Sequence, residues 1–401
     1  MSQRISVLQY TNTIVRGGVE EHILVLLRGL NRDMFKLSFA CPPELASQMR
    51  ADVPRDVDFI EIPIFRFWRL GEARQFATLL RSRGVQLLHS HMFQSSRMAS
   101  PIASFAGVPA IIETPHVRES WRNRWPRSSY LPDRMLARCV DRFIAISYAN
   151  AKYLVAEKGL PGDKIRVVQN SCDLKRFSAP LAANPQLRHS VGASESDPLV
   201  LVVARLEPQK GHRVLLESLP QVVREWPSLK VVCIGDGILR QELLQRADAL
   251  GVTKNISFLG FQANVPEWLA TADFCVLPSF YEGLPLVALE CLAAGRAMLA
   301  TAVDGTPEVI QHEVTGLLVP PGDSAALARQ MLRLIADPEL RKRLGATGRQ
   351  FVFRQFREER QIKETEQVYY ELCKAKLPQS LCPAPPAEFS EPSRDEATSI
   401  A

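Results

Sequence analysis

No two of the eight cysteines are spaced as a CxxC pair, and most lie inside apolar runs. A disulfide framework and a cysteine zinc site are thereby excluded, leaving reduced, mainly buried thiols of the kind expected in a cytoplasm. No apolar run approaches the roughly 18 residues that a membrane-spanning helix needs. No signal-peptide pattern opens the chain either, since residues 1–4 lead straight into a strand-like run. The expected location is therefore cytoplasmic, with peripheral contact at the inner face of the membrane as a further reading that rests on the charge distribution. Charge of one sign is also scarce: the net value is only +6, but it is unevenly spread. Residues 1–175 hold 25 Lys+Arg against 16 Asp+Glu, and residues 176–401 hold 24 against 27. Within 66–138 the ratio is 12 to 4, so the first half is expected to attract an anionic acceptor or surface.

What is present is enough apolar material for two cores, 46% of 401 residues. Strand-like runs at 5–10, 37–40, 59–63, 87–90, 110–113, 143–147 and 165–168 alternate with helix-like segments. A second series follows at 199–205, 230–234, 256–259, 274–277 and 297–302. Such alternation predicts an α/β protein with two parallel Rossmann-like sheets, whose ligands bind at the carboxyl ends of strands. A proline-rich polar stretch at 179–198 reads as a linker. The expected division is 1–178 for a first domain, 199–355 for a second, 356–376 for a terminal helix and 377–401 for a disordered tail.

The most informative segment is SFYEGLPLVALECLAAG, residues 279–295. A buried strand (274–277) is followed by a turn at Gly283 and a helix opening near Pro285. Backbone N–H groups around Gly283, Leu284, Leu286 and Val287 then face the sheet edge, a geometry that binds a diphosphate. Glu290, one turn into that helix, suits ribose hydroxyls, and Glu282 in the loop suits those of a sugar. After the strand 199–205, Arg205 and Lys210 supply two cations for a departing pyrophosphate. The turn Gly235-Asp236-Gly237 after the next strand exposes more backbone.

In the first half, Gly17 and Gly18 precede a helix and allow close backbone approach. His116 follows the strand 110–113, where an imidazole can meet a substrate hydroxyl. His89 and His91 form an HxH pair, but no third ligand follows in the sequence at metal-site spacing, so metal binding is not expected. Asp56 and Asp58 precede a strand and read as solvated charges. Two aromatic-basic clusters, at 65–69 and at Trp121, Arg122, Arg124, Trp125 and Arg127, fit either a lipid-headgroup face or a loop with inward tryptophans. No nucleic-acid module accompanies them.

Taken together, GGVE (17–20), TPH (114–116), IAIS (144–147), NSCDLKRF (170–177), RLEPQKG (205–211), GDG (235–237), PSFYEGLPLVALE (278–290), GTPE (305–308) and GLLVPPGD (316–323) resemble the retaining GT-B glycosyltransferases of family 4. The resemblance implies two Rossmann-like domains facing each other across a cleft, with the C-terminal helix crossing back to the first. It implies a nucleotide-sugar donor, a glycan or lipid-linked acceptor, and no required metal or other cofactor. Arg205 and Lys210 would hold the diphosphate, Glu290 the ribose and Glu282 the transferred sugar. Gly17 and Gly18 would approach the diphosphate, and His116 would contact the sugar near the reacting carbon. Bacterial cell-surface polysaccharide, lipopolysaccharide or glycolipid synthesis is the expected setting. A nucleotide-sugar epimerase, a phosphorylase and a non-catalytic nucleotide-binding scaffold are the competing readings, and the presence of Arg205, Lys210 and Glu290 counts against the scaffold. Two positions depart from the family pattern: Asp304 stands where glycine is common, and Arg296-Ala297 replaces a small residue and proline.

Overall fold

Both series of apolar runs become fully parallel sheets in the computed structural model, which describes residues 4–63, 70–119, 130–179 and 181–382. The first sheet contains β1 (Ile5–Tyr10), β2 (Phe35–Cys41), β3 (Asp58–Glu61), β4 (Leu87–His91), β5 (Ala110–Thr114), β6 (Arg142–Ala145) and β7 (Ile165–Val167), in the order 3-2-1-4-5-6-7. The second contains β8 (Leu199–Val203), β9 (Lys230–Ile234), β10 (Ile256–Gly260), β11 (Phe274–Leu277), β12 (Ala297–Thr301) and β13 (Leu317–Val319), in the order 10-9-8-11-12-13. Each order reverses beside its first strand, at β1/β4 and at β8/β11, which is where doubly wound sheets open a ligand crevice. The short strand β13 falls inside 314–323, a stretch whose Gly and Pro residues predict only a turn. Pairing with β12 (Leu299 to Leu317, Thr301 to Val319) overrides that local signal.

Burial on both sheet faces explains why these strands are apolar throughout rather than alternating. In the first sheet Ile5, Val7, Leu37, Phe39 and Ile112 fill one face, and Leu8, Tyr10, Leu88, Ile111 and Phe143 the other. In the second, Val200, Val202, Val231, Val276 and Leu299 join one large core. All eight cysteines are free thiols, six of them buried. Among the described residues no helix is long and apolar enough to cross a membrane.

The chain divides into two compact units, residues 1–170 with 358–401, and residues 171–357. The stretch 179–198 is therefore part of the second unit and not a free linker. Arg188, in the short helix Pro185–Ser190, is buried and donates to the carbonyls of Ser194, Thr271 (3.1 Å each) and Asp197. Its polar, proline-rich composition does signal irregular backbone, but the guanidinium closes that backbone onto the sheet. The helix Glu358–Lys376 packs Val368, Tyr369, Leu372 and Cys373 into the core of the first unit. It lies so close to the helix Gly18–Gly29 that a Cβ on Gly29 would sit 2.0 Å from Ile362 Cδ1. The C-terminal segment stays ordered past 376, since Leu377 is buried and Gln379–Leu381 form a 3-10 turn. The remainder of the expected disordered tail lies outside the described residues.

Several motif residues turn out to be caps. Ser147 accepts from Asn150 N at the start of Tyr148–Ala156, and Asp323 accepts from Ala326 N (2.8 Å) at the start of Ser324–Ala336. Glu20 folds back to accept from Gly17 N (2.7 Å), one half of a capping box, since Gly17 has no side chain to return the bond.

Candidate active site

In the second unit the carboxyl ends of β8, β11 and β12 converge through hydrogen bonds between their loops. Phe280 N donates to Gln209 O (2.8 Å), Gln209 Nε2 to Tyr281 O (2.9 Å), and Thr301 Oγ1 to Ser279 O (2.5 Å). Gly211, at φ 68°, passes so near Pro278 that a Cβ would lie 1.9 Å from its carbonyl oxygen. These contacts bring Lys210 and Glu282, 72 positions apart in sequence, into a 2.6 Å ion pair. The Glu282 carboxylate is 5% exposed and also accepts from Ser279 Oγ at 2.6 Å. Its backbone N–H donates to Asp304 Oδ2 at 2.9 Å. Asp304 has φ 40°, the left-handed region that favours glycine, which matches its place in a pattern where glycine is common.

Arg205 stands apart from this group. Its guanidinium pairs with Glu207 (2.8 Å) and is half exposed. Gly235, at φ 129°, would place a Cβ 2.2 Å from Ala204 O, and Gly237 one 2.5 Å from Leu206 O. The glycines of the GDG turn thus press it against the loop carrying Arg205. Leu284 is buried, Leu286 and Val287 open the helix Leu286–Ala293, and half-buried Glu290 sits on that helix. Pro285 caps the helix without a side-chain bond, and among the described residues the amides of Leu286 and Val287 have no backbone or side-chain acceptor.

Sequence reasoning missed His212, which opens the helix His212–Glu225. It is buried with both ring nitrogens unpartnered, and burial, then the charge of Lys210, lowers its pKa to about 4. The adjacent Lys210 was the only available signal.

In the first unit His116 follows β5 as expected, but it belongs to a buried polar cluster whose extent the sequence conceals. His91 Nδ1 lies 3.2 Å from His116 Nε2, His91 Nε2 lies 2.8 Å from Gln9 Oε1, and His22 Nδ1 lies 2.7 Å from Asn170 Oδ1. Gln361 Nε2 also approaches His22 Nδ1, at 2.8 Å. His89 reaches Tyr369 OH (2.5 Å) and Thr114 Oγ1 (2.7 Å). Burial pushes the imidazole pKa values down, to about 4 for His22 and well below the usual range for His89, His91 and His116. Candidate ligand atoms of His22, His91 and His116 all lie within 4.8 Å of one another, so the third histidine absent near HxH in the sequence is supplied by the fold. Several of those nitrogens already hold partners, so the cluster coheres through its own hydrogen bonds. Gly17 and Gly18 begin the adjacent helix, with the Gly17 amide engaged by Glu20 and only that carboxylate, at 3.7 Å, near a Cβ added there. Trp121, Arg122, Arg124 and Arg127, like the cluster at 65–69, lie outside the described residues.

Two doubly wound parallel sheets, each gathering polar loops at its carboxyl edge, define an architecture of the GT-B type. A crystal structure of Anabaena HepE in complex with UDP-glucose superimposes with a TM-score of 0.80 at 20% identity, covering 91% of this chain and all of that one. Sequence profiles agree: glycosyltransferase family 4 matches residues 16–176, and glycosyl transferases group 1 matches residues 184–351. The chain belongs to this glycosyltransferase family. An uncharacterised glycosyltransferase of Methanocaldococcus jannaschii is 27% identical over 383 residues, 90% of this chain and 96% of that protein. N-acetyl-alpha-D-glucosaminyl L-malate synthase of Bacillus anthracis is 35% identical over 187 residues, 47% of this chain. That match spans about half (49%) of the synthase's length.

Proposed function

We propose that this glycosyltransferase moves a sugar from a nucleotide-sugar to an acceptor hydroxyl with retention at the anomeric carbon. The observation that carries the reading is the convergence of Lys210, Glu282, Ser279 and Asp304 beside the amides of Leu286 and Val287, which have no acceptor among the described residues. A diphosphate seated there would take Lys210 as its counter-ion and the helix amides as donors. Glu282, released from Lys210, would then accept from hydroxyls of the sugar, and Glu290 from those of the ribose. Arg205 would swing from Glu207 to the phosphate as negative charge builds on the leaving group. His116 would contact the sugar near the reacting carbon. The acceptor's proton passes to the leaving phosphate in a same-face displacement: the bond from acceptor oxygen to anomeric carbon forms as the bond to phosphate breaks.

The UDP-glucose seen in HepE supports a nucleotide-sugar donor, and the basic excess over 66–138 supports an anionic or lipid-linked glycan acceptor. Because Lys210 and Arg205 would supply cationic charge to a diphosphate bound there, we propose that no metal is required. The deciding experiment incubates the full chain with a panel of nucleotide-sugars, with and without candidate glycan and lipid-linked acceptors, and measures nucleoside diphosphate release. Release that depends on acceptor supports transfer. Donor isomerisation without release would assign an epimerase.

A further inference from the structure

The polar cluster behind His116 has a direction, and a single amide sets it. Gln9 lies on β1, 0% exposed, with Nε2 donating to Tyr369 OH (2.8 Å) and Oε1 facing His91 Nε2 (2.8 Å). An amide offers hydrogens at one end and lone pairs at the other, so its two ends impose opposite polarities on their neighbours. On the oxygen side, His91 must carry its proton on Nε2, which leaves Nδ1 as an acceptor. The 3.2 Å contact from His91 Nδ1 to His116 Nε2 then requires the proton on His116 Nε2. On the nitrogen side, Tyr369 receives from Gln9 and so donates to His89 Nδ1, and His89 donates from Nε2 to Thr114 Oγ1. Each contact along this chain then pairs one donor with one acceptor, and each ring holds a single proton, in keeping with the lowered pKa values of all three imidazoles.

We propose that Gln9 is a positioning residue that fixes His116 as the Nε2–H tautomer, leaving Nδ1, which has no partner among the described residues, to accept a hydrogen bond from a substrate hydroxyl. The consequence is a specificity. A neutral nitrogen lone pair welcomes a sugar hydroxyl at that point and repels a carboxylate, whose oxygens only accept. This rests on the reading that His116 faces the sugar, whereas the tautomer itself can be measured with no substrate present.

The test is long-range proton–nitrogen NMR on the full chain carrying 15N-histidine, with His116 assigned by its loss in His116→Gln. The wild-type protein should show a protonated Nε2 and an unprotonated Nδ1 at His116. A protonated Nδ1, or zinc at one equivalent in the purified protein whose chelation shifts these signals, would overturn the proposal. In Gln9→Met the direction is lost, so the His116 signals should move toward a mixture of tautomers. KM for a neutral hexose donor should rise about two- to tenfold, the worth of one hydrogen bond, with kcat moving less. The preference for a neutral hexose donor over its uronic acid counterpart should narrow alongside. An unchanged tautomer in a folded Gln9→Met protein refutes the role of Gln9. The expected tautomer in an inactive wild-type protein instead refutes the transferase reading alone.

Discussion

Lys210 shows how a residue's surroundings change the experiment that probes it. Its partner Glu282 is buried, so Lys210→Ala strips a carboxylate of its cation as well as removing a ligand for the diphosphate. Breaking a buried pair from one side costs about 3–5 kcal/mol, so this variant should lose stability together with activity. Arg205 is the cleaner probe because it is half exposed and its ion pair among the described residues, with Glu207, is at the surface. Arg205→Ala should melt like the wild type while kcat falls roughly a hundredfold or more, from the loss of about 2.7–4 kcal/mol of charge stabilisation. Near-normal kcat would remove Arg205 from the diphosphate. At Asp304 the backbone and the side chain pull in opposite directions. Asp304→Gly relieves the strain of φ 40° and should leave the melting temperature level or raised, yet it frees the Glu282 amide and should raise donor KM or lower kcat. Asp304→Asn, whose amide oxygen still accepts, should retain most activity. If Asp304→Gly is fully active, the Asp304 carboxylate has no role in placing Glu282.

At the scale of elements, the helix Glu358–Lys376 belongs to the first unit although it is the last in the chain. It covers one face of the first sheet and supplies Tyr369 and Gln361 to the histidine cluster. Truncation after residue 357 should therefore unfold the first unit while the second, whose core is contained within 199–344, keeps its own transition. Calorimetry of the truncated chain showing both transitions intact would refute this. Gly29→Leu should act in the same direction more mildly, by about 1–3 kcal/mol, because its side chain must displace Ile362.

Across the whole molecule, stability should depend on pH from both sides. His22 and His212 titrate near 4 when folded and near 6.5 when unfolded. The unfolded chain binds more protons between those values, so their contribution is complete above about 6.5 and lost as pH falls toward 4. Glu113 is the reverse case: burial raises it to about 8, so its contribution is complete below about 4.5 and lost as pH rises through 8. Denaturation from pH 4 to 9 should show a maximum between these limits, and Glu113→Gln should flatten the alkaline side; a flat acidic limb would contradict the buried neutral histidines. Turnover should also survive EDTA, and loss restored by Mg²⁺ or Mn²⁺ would refute metal independence. Binding to anionic liposomes at low salt, fading as salt screens exposed charges, would support a membrane-facing role for residues 66–138.

What the sequence determined by itself was local and periodic. Runs such as 5–10 and 199–205 are apolar because parallel strands are buried on both faces, and that composition is readable without coordinates. The loops at 205–211 and 278–290 were legible for the same reason, since glycine, proline and charge at strand ends report backbone geometry and exposure. Tertiary structure alone decided which distant residues share a hydrogen bond. Nothing near Gln9 points to His91 or Tyr369, yet the 3-2-1-4 strand order sets β1 against β4, and the last helix closes over both. Lys210 with Glu282, and Asp304 with the Glu282 amide, arise in the same way. The short strand β13 and the 179–198 segment went unread because pairing with β12 and the Arg188 guanidinium, neither of them local, give those residues their structure.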